Sequence, residues 1–272
     1  MNHLFRDRAP ITPAGWEEIE QEARRTLRAL LAARRVVDFK GPLGWGASDV
    51  ELGRADPIAS PPSGKDVEAR LRRIQPLVEL RIPFDVSRAE LDAIDRGARD
   101  PDLDSVTAAA REIAIAEDRS IFHGYSAAQI TGICQKLESS AVPLGSSHAD
   151  YPLAVATALA KLRDAGIEGP FAVVLNEQLY KDLSARTDGG YPIISHVQRL
   201  IEGDIVWAPG IDGGLVISQR GGDFELSVGQ DFSIGYLEHN TDRVRLYIEE
   251  SFTFLILTEQ AAVPLSTGGS AP

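Results

Sequence analysis
The sequence predicts a mixed α+β protein carrying one long extension that has no core of its own. Three observations lead there. Apolar residues recur at helical spacing near the N-terminus and again in the middle of the chain. From Ile205 to Leu257 the pattern turns to short strands almost without interruption. Between them, Gly41 to Gln75 is punctuated by glycine and proline and has little apolar content. Strands and helices do not alternate regularly, so neither a doubly wound nucleotide fold nor a barrel is expected.

Thr12-Pro13 is a helix start, with proline at the first helical position. Trp16, Ile19, Ala23, Leu27, Leu30 and Leu31 then form one apolar stripe to about Ala33. Glutamates crowd its first turns and arginines its last, the order that suits the helix dipole. Val36–Phe39 reads as a short strand. The stretch that follows reads as an extended hairpin, Ala47–Gly53 returning near Val67–Ile74, too long for a compact domain unless a second subunit receives it. Leu80, Ile82 and Phe84 alternate as a strand, and Ser87 to Gly97 is a short helix. Asp104 or Ser105 caps a long helix through Phe122. A helix at Tyr151–Ala165, a buried strand at Phe171–Leu175 and helices near Glu177–Ala185 and Ile193–Glu202 come next, the last two separated by Asp188-Gly189-Gly190. The run from Ser266 to Pro272 is small and polar and is expected to be mobile.

Composition narrows the function. The chain has 272 residues, enough for a substantial core, and a net charge of -12, which disfavours nucleic acid as a partner. Its longest apolar runs are too short to span a bilayer, so no membrane partner is expected. The opening residues lack the apolar core and cleavage site of a signal peptide, and Cys134 is the single cysteine, which fits a reducing cytosol. The five histidines have no metal-ligand spacing, and no H-E-x-x-H occurs. Ser126 in Gly124-Tyr125-Ser126 lacks the strand and second glycine of a nucleophile elbow, and Cys134 sits in an apolar run. Asp223, Glu225, Asp231, Glu249 and Glu250 lie on strand segments and are expected on solvated faces. No catalytic constellation emerges, and no metal or cofactor is expected.

Several segments, in order, resemble the encapsulin shell proteins. They are Phe5-Arg6-Asp7-Arg8-Ala9-Pro10, Arg34-Arg35-Val36-Val37-Asp38 leading to Gly41-Pro42-Leu43-Gly44-Trp45, and Glu117-Asp118-Arg119-Ser120-Ile121-Phe122-His123-Gly124. Gly190-Tyr191-Pro192-Ile193 with Gly203-Asp204-Ile205-Val206-Trp207 is a fourth. The most specific runs from Arg220-Gly221-Gly222-Asp223-Phe224 through Gly229–Tyr236 to Glu250-Ser251-Phe252-Thr253-Phe254.

The resemblance implies the fold of tailed-bacteriophage major capsid proteins, with a peripheral domain, an axial domain and an extended loop. Residues 1–44 would open the peripheral domain, 45–76 form the extended loop, and 77–133 carry the spine helix. Residues 134–222 would form the axial domain, 223–262 the remaining peripheral strands and 263–272 a flexible tail. It implies a structural, non-enzymatic protein: a closed icosahedral shell in a bacterial cytosol, built from copies of itself. Its cargo would be a dye-decolourising peroxidase or a ferritin-like iron protein, held by a targeting peptide. The apolar stripe of the N-terminal helix is wider than one packing contact requires, and Phe232 and Ile234 alternate on a strand, so the cargo peptide is expected to dock on Leu27, Leu31, Arg34, Asp38, Phe232 and Ile234. Thr187, Asp188, Gly189, Gly190 and Tyr191 would line a pore. Some related shells hold a flavin on an aromatic residue of the short helix after Ser87; that helix has none here, so no flavin is expected. Two rival readings remain: a phage capsid protein that packages DNA, and a hydrolase using Ser126 or Cys134.

Overall fold
The computed structural model describes residues 3–59, 66–145, 147–188 and 190–266. Helix α1 (Pro13–Leu30) starts as the sequence indicates: Thr12 Oγ1 accepts from Gly15 N at 3.2 Å, with proline in the first turn. A 3-10 turn, Ala33–Arg35, leads into β1 (Asp38–Lys40), so the strand expected from Val36 begins two residues later. Strands β2 (Asp49–Ile58) and β3 (Ala69–Pro76) pair antiparallel in a sheet of their own. Ile58, Leu71 and Ile74 on this hairpin are about half or more exposed, so it contributes nothing to the core. Strand β4 (Val78–Ser87) runs into α2 (Arg88–Asp95), and α3 (Asp104–Phe122) is the longest helix described.

The chain then passes α4 (Ile133–Lys136), β5 (Val142–Pro143), α5 (Tyr151–Asp164), β6 (Phe171–Leu175) and α6 (Glu177–Ala185). A small hairpin, β7 (Thr187–Asp188) with β8 (Tyr191–Pro192), precedes α7 (Ile193–Gln198). The remaining strands are β9 (Ile205–Trp207), β10 (Gly214–Ser218), β11 (Phe224–Val228), β12 (Ser233–His239), β13 (Arg243–Ile256) and β14 (Ala262–Ser266).

Two five-stranded sheets organise these elements. One has the order β1-β11-β13-β12, with β4 also paired to β13; the other has the order β5-β14-β10-β6-β9. β13 is long enough to pair with β4 along one edge, from Arg243 to Phe252, and with β12 and then β11 along the other. The apolar stripe of α1 packs with Val106, Ala110 and Ile113 of α3 against β4, β12 and β13. The end of α3, Ile121 and Phe122, belongs to the core of the second sheet, so this helix links the two.

Strand β14 corrects an expectation. Residues 263–272 were assigned to a flexible tail, yet Val263 and Leu265 are buried and β14 lies between β10 and β5. The apolar run Ala261-Ala262-Val263-Pro264-Leu265 has a covered slot in the sheet, which outweighs the proline and the small residues after it. Residues 267–272 lie outside the described residues.

Candidate docking groove
Two elements flank a cavity of about 400 Å³. The exit of α1 supplies Leu27 and Leu31, β12 supplies Ile234, and Phe232 stands just before that strand; Arg34 lines the space between them. β12 is placed by its antiparallel register with β13, Ile234 facing Ile248, and Tyr236 N donates to Leu4 O at 2.8 Å where the N-terminal arm closes one end. Leu27 and Ile234 are buried and form the floor, whereas Leu31 and Phe232 are partly buried and keep some exposed surface. Arg24 and Arg28 add exposed cations at the rim, and Arg6 is tied to Glu20 at 2.5 Å. An apolar floor of this size with a charged edge suits a few aliphatic side chains of an incoming peptide.

Arg34 is held on every side. Its Nε donates to both carboxylate oxygens of Glu117 at 2.9 Å, and Nη2 donates to Glu117 Oε2 at 2.5 Å and to Glu250 Oε2 at 3.1 Å. Nη1 donates to Asp231 Oδ1 at 2.8 Å. The guanidinium carbon lies 4.7 Å from the ring centre of Phe232 and 5.1 Å from that of Phe39. Burial works against its charge, but Glu117, Glu250 and Asp231 together hold its pKa above the ordinary arginine value.

Asp38 does not join this group. Its Oδ2 accepts from Gly222 N at 2.6 Å, in a small polar recess beside Gly221. Successive strand residues face opposite ways, so once Phe39 turns toward Arg34, Asp38 must turn from it. The acids expected on solvated strand faces need a second correction. Asp223, Glu249 and Glu250 are buried, and each meets an arginine: Arg220, Arg81 and Arg34 in turn. Asp223 and Glu249 each have a cation beside them, whereas Glu250 shares Arg34 with the equally buried Glu117.

Known relatives match almost the full length of the chain. Residues 1–253 match the family model described as encapsulating protein for peroxidase. The chain belongs to the encapsulin shell-protein family. The type 1 encapsulin shell protein of Rhodospirillum rubrum is 56% identical over 270 residues, covering 97% of this chain and 96% of its own. Among solved structures, the virus-like particle of Pyrococcus furiosus aligns with a TM-score of 0.63 at 16% identity, over 92% of this chain and 99% of that one. The capsid of Myoviridae phage XM1 aligns with a TM-score of 0.54 at 12% identity, over 88% and 92%. The fold is therefore that of the phage capsids, and the encapsulin forms a capsid-like compartment from its own copies. The curated relatives are structural shell proteins.

Elsewhere on the encapsulin, the hairpin Thr187–Tyr191 carries the residues expected at a pore. Thr187 pairs with Pro192 and Asp188 with Tyr191; Gly190 adopts φ 85°, and Tyr191 is 57% exposed with Arg199 stacked on its ring. Gly189 lies outside the described residues. Burial pushes the Cys134 thiol up to about 12, so it is protonated at neutral pH and poorly nucleophilic. Ser126 sits in an exposed 3-10 turn after α3. Among the described residues, no three His, Cys, Asp or Glu side chains are placed to hold a metal ion.

Proposed function
We propose that this encapsulin closes an icosahedral compartment in a bacterial cytosol and loads a peroxidase by seating the enzyme's terminal peptide in the groove between α1 and β12. The supporting observation is convergence. Leu27, Leu31, Arg34, Phe232 and Ile234, drawn from two distant parts of the sequence, surround one cavity of about 400 Å³. Aliphatic side chains of the peptide fill the apolar floor, and Arg34 gives a fixed polar contact. The family description, which names a peroxidase, favours that cargo over a ferritin-like protein. The hairpin at Thr187–Tyr191 lines the opening through which small substrates reach the enzyme, and the β2–β3 hairpin reaches a neighbouring subunit.

Leu31 decides the docking assignment, because it lines the groove and is only partly buried. Leu31→Asp places a carboxylate where the peptide's apolar side chains would sit. Shells should still assemble, and the cargo-to-shell ratio of purified particles should fall several-fold. Variant shells that carry a normal cargo load would move the docking site elsewhere.

A further inference from the structure
Three carboxylates converge on the Arg34 guanidinium, and two of them, Glu117 and Glu250, have no exposed surface. One cation does not compensate two fully buried charges and a third at the rim. In such a site a proton on one acid costs less than a second buried charge. The geometry selects Glu250. Glu117 accepts three hydrogen bonds from two nitrogens of Arg34, whereas Glu250 receives a single 3.1 Å bond at Oε2. Its Oε1 meets no donor among the described residues. Oε2 of Glu117 and Oε2 of Glu250 are bound by the same Arg34 nitrogen, Nη2, so a protonated Glu250 has Glu117 as its neighbouring acceptor. Burial first, and then the charge of Glu117, push the Glu250 pKa well above the usual carboxylate range.

The other charged groups nearby are already engaged. Asp118, next to Glu117 on α3, accepts from Ala32 N and Ala33 N, each at 3.0 Å. Glu249, next on β13, is bonded to Arg81 and Gln230, with His3 at 3.6 Å. Asp231, before β12, is the one member with solvent access, its side chain 43% exposed.

We propose that Glu250 carries a proton in the folded subunit, and that this proton leaves Arg34 free to fasten Asp231 across the docking groove. Ionising Glu250 sets a second full charge beside Arg34 and draws the guanidinium inward. Asp231 is the partner it gives up, because water can replace that bond. The groove lining then changes from a neutral ion pair to a carboxylate that keeps only its bond from Phe232 N. The folded pKa lies above the ordinary value of 4.5, so the proton stabilises the fold most at low pH. That contribution is lost as pH rises from 4.5 through the folded value, by at most about tenfold in the folding equilibrium per pH unit. The effect on a bound peptide rests on the docking reading; the proton and the ion pair do not.

Assembled shells allow a direct test, by infrared difference spectroscopy and electron cryomicroscopy at near-neutral and alkaline pH. Wild-type shells should show a protonated-carboxyl stretch that Glu250→Gln lacks. Its loss on alkalinisation should accompany separation of Arg34 from Asp231 in the maps. Glu250→Gln, whose amide can donate to Glu117 and accept from Arg34, should keep the pair closed at both pH values. Asp118→Asn should leave the pH-dependent opening intact. A pair that stays closed in alkaline wild-type shells, or opens equally in Glu250→Gln, overturns the proposal, as does a spectrum in which Glu250→Gln removes no band. If Glu250→Gln fails to assemble, the wild-type maps alone decide. Neither readout uses a peptide, so shells that pass both but bind cargo elsewhere would defeat the docking reading alone.

Discussion

Replacing Arg34 by methionine is the sharpest single test of how the subunit holds its buried acids. Methionine keeps an unbranched stem between Phe39 and Phe232 and removes only the charged fork. Glu117 and Glu250 are then left buried with no cation. The Arg34 side chain is 15% exposed and theirs are 0%, so water cannot readily take the place of the guanidinium. Breaking a buried ion pair by removing one partner costs about 3–5 kcal/mol. For a chain of this size each kcal/mol shifts the unfolding midpoint by roughly 2 °C, so a fall of roughly 6–10 °C is expected. Differential scanning fluorimetry of assembled shells at one scan rate reads this directly, the comparison being kinetic as well as thermodynamic. Adding Glu117→Gln to the same chain removes the stranded charge and should restore about half of the loss. An Arg34→Met shell as stable as wild type, or a double variant no better than the single one, would refute the reasoning.

Other outcomes follow from neighbouring features. Burial pushes Asp118 up to about 8 against a usual 3.8, despite the bonds from Ala33 N and Ala32 N that favour its charge. Stability should therefore decline between those two pH values, by at most about 1.4 kcal/mol per pH unit; Asp118→Asn should flatten that part of a midpoint-against-pH curve, and an unchanged slope would count against it. Deleting residues 46–74 removes the β2–β3 hairpin but almost no core, so the subunit should give a folded circular dichroism spectrum while light scattering shows little particle. Asp188→Lys reverses a charge in the β7–β8 hairpin; uptake of an anionic small molecule should rise relative to a cationic one with assembly unchanged, and equal fluxes would argue against a pore there.

The elements themselves were largely legible in the sequence, because periodicity is strong where one face is buried. Trp16, Ile19, Ala23, Leu27 and Leu30 make a stripe that can only be a helix, and all five are buried. The lining of the cavity was legible in part: Leu27 and Ile234 occupy faces defined by helical and strand spacing, whereas Asp38 points elsewhere because its strand neighbour Phe39 faces Arg34. The buried acids were missed, though a signal was present. Glu117 stands four residues after Ile113 and four before Ile121, on the core stripe of α3. Glu250 stands two after Ile248 and two before Phe252, all on one face of β13. A charge at such a position implies a partner, but the partner, Arg34, lies in a remote turn. Only the tertiary structure joins them.

The placement of β14 bears on when a subunit becomes able to assemble. β14 occupies an interior position of its sheet, hydrogen-bonded to β10 on one side and to β5 on the other. Until residues 262–266 have been synthesised, β5 has no neighbour and β10 has only β6. Without those residues the sheet holds an open slot between β5 and β10. Such non-local closure is a late step in folding. A chain without β14 therefore presents two unpaired strand edges, β5 and one side of β10, and both close only when that strand takes its place between them.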